Sequence, residues 1–194
     1  MGRNTLTTRA AVPADAPVLL ELWGDAVRRA DPTEQLADLE LVIKDSAASP
    51  EQRTVVVEYG DQVAGAIYLR ITTLTPLNLE PAVQSIQPRV LPHFRRHGVG
   101  HALMEAATAF AEENGILHVV TAVPNSSREV NRFMARLGLA PAVMYRIAPT
   151  AVLRSRVTRH LPGGAPDGGR NKVLAARRSL RRRAGRAVEP SEDE

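Results

Sequence analysis

The sequence predicts an α/β (α+β) fold, with a mixed central sheet of about seven strands and helices on its faces. Segments rich in β-branched residues alternate with segments of helical period, in the order β-α-α-β-β-β-α-β-α-β-β. The chain has 194 residues, of which 44% are hydrophobic, so it is long enough to bury a full core. It contains no cysteine, which excludes a disulfide framework, a cysteine-based zinc site and a catalytic thiol.

The N-terminus lacks the apolar segment of a secretion signal. No run of the sequence approaches the roughly 18 apolar residues of a membrane-spanning helix. Together with the missing cysteines, these features predict a cytoplasmic protein without a membrane span.

The N-terminal third is predicted to hold one strand and two helices. Residues 5–12 alternate and are rich in threonine and valine, which is typical of a strand. Asp15 is placed to cap a first helix that carries Trp23 on its apolar side. Residues 33–44 form the second helix, which ends before Pro50 because proline cannot continue it.

The middle of the sequence predicts a hairpin, a further strand and a helix. Residues 53–59 and 62–74 are strands joined by a turn at Gly60-Asp61. Residues 82–90 form the next strand. Residues 98–114 have apolar positions at the spacing of one helix face.

The last third of the predicted domain continues the alternation. Residues 116–123 are almost continuously apolar, which predicts a strand buried on both faces. Residues 125–127 offer caps for a helix that runs through Arg136. Residues 143–147 and 152–157 are predicted as two last short strands.

Composition divides the chain into three parts. Residues 1–160, the predicted domain, contain 17 basic and 16 acidic residues, whereas residues 161–194 contain 8 and 5. Residues 161–169 have the glycine and proline content of a linker, and residues 170–194 form a basic tail. Its segment 170–186 contains all eight basic residues. Residues 171–187 have the apolar spacing of a helix, which would bind phosphate groups of RNA or ribosomes, of DNA or of an anionic membrane surface; a solvated disordered extension is the alternative.

A short basic turn that contains glycine lies between the strand at 82–90 and the helix that follows. The first amides of a helix lack internal partners and the helix dipole adds positive charge there, so an anion binds well. Arg95 and Arg96 add donors suited to a diphosphate, and Gly98 and Gly100 let a ligand approach the main chain. A plain tight turn is the alternative, and neither a Walker loop nor a Rossmann fingerprint fits the spacing.

Residues 90–100, Val-Leu-Pro-His-Phe-Arg-Arg-His-Gly-Val-Gly, resemble the acetyl-CoA signature of the GNAT superfamily of N-acetyltransferases. Residues 136–139, Arg-Leu-Gly-Leu, are similar to a second motif of that superfamily. The resemblance covers residues 5–157. It implies a GNAT-like fold and acetyl-CoA as the acyl donor. It also implies direct attack on the thioester by a primary amine of an unidentified acceptor.

The resemblance also implies where acyl-CoA binds. The strands at 82–90 and 116–123 splay apart, the pantetheine arm pairs with exposed main chain near Val90 and Leu91, and the diphosphate lies on the amides of residues 95–100. His101 is a neighbour of phosphate. The implied cofactor-binding residues are Val90, Leu91, Arg95, Arg96, His97, Gly98, Val99, Gly100 and His101.

The acid and base of the reaction do not follow from the motifs. Met134 stands where many members of the superfamily have a tyrosine, and a thioether cannot donate a proton. Ser127 aligns with the usual helix-opening asparagine. The candidates are Tyr145 as the acid and Glu80 as the base.

A metal site is not expected, because the histidines at 93, 97 and 101 have no carboxylate companion at ligand spacing. The predicted function is acetyl transfer from acetyl-CoA to a primary amine. The alternative is a catalytically weak acyl-CoA-binding module that associates with RNA through its tail. A homodimer is kept as an expectation.

Overall fold

The computed structural model describes residues 5–123, 127–143 and 146–159. The chain divides into two compact units, Met1–Ala140 and Pro141–Glu194. Within the described residues, the first unit holds a five-stranded sheet and four α-helices, and the second holds one α-helix. No helix of the described part is long and apolar enough to cross a membrane.

The described elements follow one another in the predicted order up to the fourth helix. The strands are β1 Leu6–Ala10, β2 Gln52–Tyr59, β3 Gln62–Thr73, β4 Pro81–Val90 and β5 His118–Thr121. The helices are α1 Ala16–Trp23, α2 Pro32–Ala48, α3 Val99–Glu113, α4 Arg128–Arg136 and α5 Thr150–Arg159. The mixed α/β class predicted from the sequence is confirmed.

The sheet has the order β1-β2-β3-β4-β5, and only its last pair of strands is parallel. The predicted hairpin is confirmed, with Gly60 at φ 65° in the two-residue turn between β2 and β3. Helix α3 packs on the sheet through Leu103 and Phe110, both almost fully buried. This packing fixes the start of α3 against the end of β4.

The two N-terminal helices begin at aspartates that act differently. Asp31 accepts hydrogen bonds from the amides of Thr33 at 2.9 Å and Glu34 at 3.1 Å, which caps α2. Asp15 lies at the cap position of α1, but its carboxylate binds Arg9 at 2.7 and 2.9 Å. Asp15 therefore ties β1 to α1 instead of capping the helix.

One of the seven predicted strands is wrong, and another is not a strand at its described residues. Residues 152–157 lie in helix α5, and described residues 143, 146 and 147 are not in a strand; residues 144 and 145 lie outside the described part. The β-branched residues at 152 and 157 suggested a strand, but they are solvent-exposed on α5, so no sheet neighbour decides their conformation.

Strand β5 is also shorter and less buried than predicted. It covers His118–Thr121, with His118 exposed and the other three residues half-buried. β5 is the last strand of the described sheet, so only β4 pairs with it. The predicted linker at 161–169 and the predicted tail helix lie outside the described residues.

Candidate functional site

Strand β4 contains a bulge at the position where the site begins. The β3–β4 register jumps from Tyr68↔Ile86 to Ala66↔Arg89. Gln87 has φ 48°, which is rare for a residue with a side chain. The buried indole of Trp23 donates a hydrogen bond of 2.8 Å to the Gln87 carbonyl oxygen. The bulge is therefore held by α1 as well as by the sheet.

The pairing of β4 with β5 ends just before this bulge. Their parallel pairing covers only Ala82–Ser85 with His118–Thr121. Beyond it, residues 87–91 form one wall of an open cleft, and Ala122 and Val123 contribute to the other. The cleft has a volume of about 910 Å³. A cleft between the ends of these two strands is what the sequence led us to expect, and the splay of the strands stays a prediction.

At Val90, the main chain of β4 presents its N–H and C=O groups to this cleft. The Leu91 amide donates to the Ala64 carbonyl oxygen at 2.9 Å, so its N–H is used within the sheet. Peptide groups alternate in direction along a strand, and Val90 faces Gly65 as a non-hydrogen-bonded pair. The N–H and C=O of Val90 therefore point away from β3, towards the cleft.

The loop after β4 turns its amides outward. Arg96 has φ 64° and Gly98 has φ 86°, and the first α3 hydrogen bond runs from the Ala102 amide to Gly98 O. The amides of residues 99–101 therefore lack partners inside the helix. Together with the helix dipole they form an anion-binding end to the cleft.

Three glycines shape this end for different reasons. Gly98 is required by its positive φ, and a Cβ there would lie 3.1 Å from Leu6. Gly100 faces the Phe133 ring, 3.4 Å from where a Cβ would stand. A Cβ on Gly65 would lie 2.7 Å from Arg89 O and 2.8 Å from a Val99 methyl. Gly65, which the sequence analysis missed, thus lets α3 sit directly on the sheet.

Seven of the nine predicted cofactor-binding residues line the cleft. They are Val90, Leu91, Arg95, Arg96, Gly98, Gly100 and His101. The His97 ring lies 4.9 Å from Tyr59, and its Nδ1 is 2.8 Å from Arg95 O, so it braces the loop from outside. Val99 is fully buried in the core. Only the main chain of these two residues is available to a ligand in the cleft.

Glu80 does not belong to the cleft. It precedes the first residue of β4, seven positions before Gln87, which corresponds to about 20 Å of extended chain. Its carboxylate lies 3.4 Å from His118 Nδ1. Glu80 is not among the residues that line the cleft, so this position does not support its expected role as the base, which stays a prediction.

The other residues considered for catalysis differ in whether they line the cleft. Met134 is buried and lines the cleft. Ser127, which is half-buried at the start of α4, also lines it. Tyr145 lies outside the described residues. The His93 ring packs on Phe94 at 4.2 Å and does not line the cleft.

Glu21 also lines the cleft, and the sequence analysis did not select it. It projects from α1 beside Leu22 and near the Gln87 bulge. Close by, the Arg89 guanidinium is held by Asp25 at 2.8 Å and by the Gln87 side chain at 3.0 Å. The only sequence signal for Glu21 was an acidic residue beside the apolar side of the first helix.

Metal-ligating side chains do not gather at the cleft. Among the described residues, no group of three or more histidine, aspartate or glutamate side chains is arranged to hold a metal ion. The charged side chains that line the cleft are the carboxylates of Glu21 and Glu129 and the guanidinium groups of Arg89, Arg95, Arg96 and Arg136.

Comparison with known proteins identifies related sequences and folds. The profile of the acetyltransferase (GNAT) family matches residues 17–139, which is more than half of the chain. A search of curated protein sequences returns no match.

Solved structures with a similar fold include a transcriptional regulator from Bacillus halodurans C-125, with 18% identity, a TM-score of 0.62 and coverage of 75% of this chain and 99% of that one. Glucosamine-6-phosphate N-acetyltransferase from Arabidopsis thaliana has 16% identity and a TM-score of 0.60, with coverage of 75% and 99%. Aminoglycoside N-acetyltransferase AAC(6′)-Iy in complex with CoA has 16% identity and a TM-score of 0.59, with coverage of 74% and 95%. At these identities, the likeness shows the fold.

Proposed function

This chain belongs to the acetyltransferase (GNAT) family, and from that premise we propose that it transfers the acetyl group of acetyl-CoA to a primary amine. The observation that carries the proposal is the cleft between β4 and β5, which ends at the unpaired amides of α3. A cleft of this shape suits an extended donor with a diphosphate near one end. The aminoglycoside N-acetyltransferase of similar fold is solved with CoA, which supports the choice of donor.

The walls of the cleft suggest how the donor is held. The N–H and C=O of Val90 pair with the amides of the pantetheine arm, as a neighbouring strand would. The amides of residues 99–101 and the Arg95 and Arg96 guanidinium groups bind the diphosphate. These contacts place the thioester near Gln87, where β4 is bulged.

The reaction needs no covalent enzyme intermediate. The neutral nitrogen of the acceptor attacks the thioester carbonyl carbon, the C–S bond breaks, and CoA leaves as the thiolate. The nitrogen gives up one proton, and the thiolate takes up one proton on its way to the thiol. The protein must therefore deprotonate an ammonium and stabilise a thiolate.

Glu21 is the residue best placed for the first task. It lines the cleft on α1, the helix that contacts the Gln87 bulge, and among the described residues no hydrogen bond or ion pair engages its carboxylate. A carboxylate there attracts a cationic amine and accepts its proton directly or through one water. Glu21→Gln is expected to reduce kcat/KM for the amine about 10²-fold or more, without changing acyl-CoA affinity.

A second candidate function follows from Met134. A buried thioether occupies the position where a tyrosine would assist the leaving thiolate, so transfer is slow and acyl-CoA binding is the main activity. RNA association through residues 170–186 belongs to this alternative. Met134→Tyr tests it: kcat rises if the missing acid limits the rate, and Met134→Leu serves as the size-matched control.

The proposed function is tested by measuring CoA thiol release with acetyl-CoA and a panel of small-molecule amines and ribosomal proteins. Amine-dependent release by the wild type, lost in Glu21→Gln, supports transfer. Acetyl-CoA binding without release for any amine supports the second candidate. Absence of both binding and release contradicts the assignment of the cleft to acyl-CoA.

A further inference from the structure

A second hollow, of about 420 Å³, opens beside the phosphate end of the cleft. It is lined by four charged side chains: Arg96, Glu129, Arg132 and Arg136. Arg96, Glu129 and Arg136 also line the cleft, so the two spaces are neighbours. Arg132 lines only the second hollow. We call these four residues the arginine pocket.

The charges of the arginine pocket are not balanced within the described part of the protein. No carboxylate there lies within ion-pair distance of Arg96, Arg132 or Arg136. Arg132 and Arg136 are four residues apart on α4 and therefore share a helix face. Three guanidinium groups around one carboxylate leave a net charge of +2, which favours an anion with several acceptor oxygens.

The ligand is identified by what adjoins the pocket. CoA carries a phosphomonoester on the 3′ position of its ribose, on the nucleotide side of the diphosphate. That group has a charge of about −1.5 to −2 at pH 7 and three strong acceptor oxygens. Arg96 lines both the cleft and the arginine pocket, so the pocket adjoins the end of the cleft where the diphosphate is proposed to lie.

We propose that the arginine pocket binds the 3′-phosphate of CoA and makes the protein select CoA over 3′-dephospho-CoA. This inference rests on the proposed function, because it takes acyl-CoA to be the ligand of the cleft. Arg132 is the residue that distinguishes binding of the 3′-phosphate in the arginine pocket from binding of acyl-CoA in the cleft. Arg96 and Arg136 reach both spaces, whereas Arg132 contributes to phosphate binding only in the pocket.

The test is a calorimetric titration of the full-length protein with CoA and with 3′-dephospho-CoA. The wild type is expected to bind CoA at least about tenfold more tightly, since a charge-assisted hydrogen bond contributes on the order of a tenfold change. Arg132→Gln is expected to weaken CoA binding about tenfold and to leave 3′-dephospho-CoA binding within about twofold. The variant therefore abolishes most of the discrimination.

Two control variants on the same helix separate contact from general electrostatics. Arg128→Gln removes the same charge one turn before Arg132, but Arg128 lines neither space, so discrimination is expected to persist. Glu129→Gln removes the carboxylate of the pocket and is expected to strengthen CoA binding. Circular dichroism of each variant checks that α4 is intact.

The outcomes are distinct. Equal wild-type affinity for CoA and 3′-dephospho-CoA overturns the inference and leaves the proposed function standing. Equal weakening of both ligands by Arg132→Gln, or the same effect from Arg128→Gln, also overturns it, because the arginine then acts through long-range charge. Failure of both ligands to bind the wild type contradicts the proposed function itself.

Discussion

The protein contains two groups of arginines that have opposite surroundings. Arg9 is bound by Asp15 and Glu58, each at 2.7 Å, and connects β1, β2 and the start of α1. The guanidinium groups of the arginine pocket have no such carboxylate partners among the described residues and border a cleft. The same side chain thus serves structure where carboxylates surround it and serves ligand binding where they do not.

The pKa values at the Arg9 group show what pairing does. Burial raises the pKa of Asp15, but hydrogen bonds from Arg9 and the Val12 amide outweigh it, so the pKa of Asp15 lies below its usual value. The hydrogen bond to Asp15 is the main cause that raises the pKa of Arg9. The charge of Arg9 is therefore paired with carboxylates of the protein, whereas the guanidinium groups of the arginine pocket have no carboxylate partner among the described residues.

The largest effect is expected from Gly100→Asp, which places a carboxylate at the ligand-facing end of α3. It should weaken acetyl-CoA binding by at least about 100-fold, because it repels and obstructs the diphosphate. Folding should be retained, since aspartate is favourable in a first helical turn and the nearest atom to a Cβ there is 3.4 Å away. Calorimetry measures the affinity. Gly100→Ala is the control for bulk alone, and an equal loss there would show that charge is not the cause.

Asp15→Asn should break the ion pair with Arg9 and leave the arginine pocket intact. We expect a loss of about 2 kcal/mol in the free energy of unfolding at pH 7, measured by urea denaturation. Because the folded pKa of Asp15 is lowered, its contribution is complete above the unfolded value of about 3.9 and is lost as the pH falls below it. The difference between wild type and variant should therefore shrink below about pH 4. A difference that does not change with pH would contradict this role.

Trp23→Phe tests whether the β4 bulge is held for the ligand. It removes the hydrogen bond to Gln87 O and should cost about 1 kcal/mol of stability and weaken acyl-CoA binding several-fold. Tyr68→Phe is the matched control, because it removes a hydrogen bond of 2.7 Å to Gln52 that lies away from the cleft. The control should lose stability but keep its affinity. Equal affinities of wild type and Trp23→Phe would show that the bulge does not depend on Trp23.

The smallest effect on acyl-CoA is expected from deletion of residues 162–194. Acyl-CoA affinity should not change, because the cleft is built from residues 21–136. RNA or ribosome association should weaken and should fall steeply with salt in the full-length protein, as binding by counterion release does. Co-sedimentation across a salt series measures it. Equal sedimentation of the two forms would leave the tail as a plain extension.

The parts of the site that the sequence could predict are those specified by local pattern. The loop at 95–100 and helix α3 have turn residues and a helical period in one continuous segment. The sequence identifies Gly98 as a residue of the loop, and its positive φ is a reason for glycine there that the sequence did not show. Local signals were sufficient here because the turn and the helix are adjacent in sequence.

The parts that the sequence could not predict depend on contacts between distant segments. Gly65 in β3 is needed because Arg89 and Val99 come within 3 Å of where its Cβ would stand. Glu21 reaches the cleft only because α1 packs beside the β4 bulge. The strand predicted at 152–157 is a helix, since exposed β-branched residues do not by themselves select a sheet.

The most direct test of the central claim is calorimetric titration of acetyl-CoA into the wild type and into Gly100→Asp. The account predicts saturable binding at one site in the wild type, with a raised melting temperature, and binding weakened by at least about 100-fold in the variant. No binding to the wild type at millimolar acetyl-CoA, or equal binding by both proteins, would contradict the claim that the β4–β5 cleft and the start of α3 hold acyl-CoA.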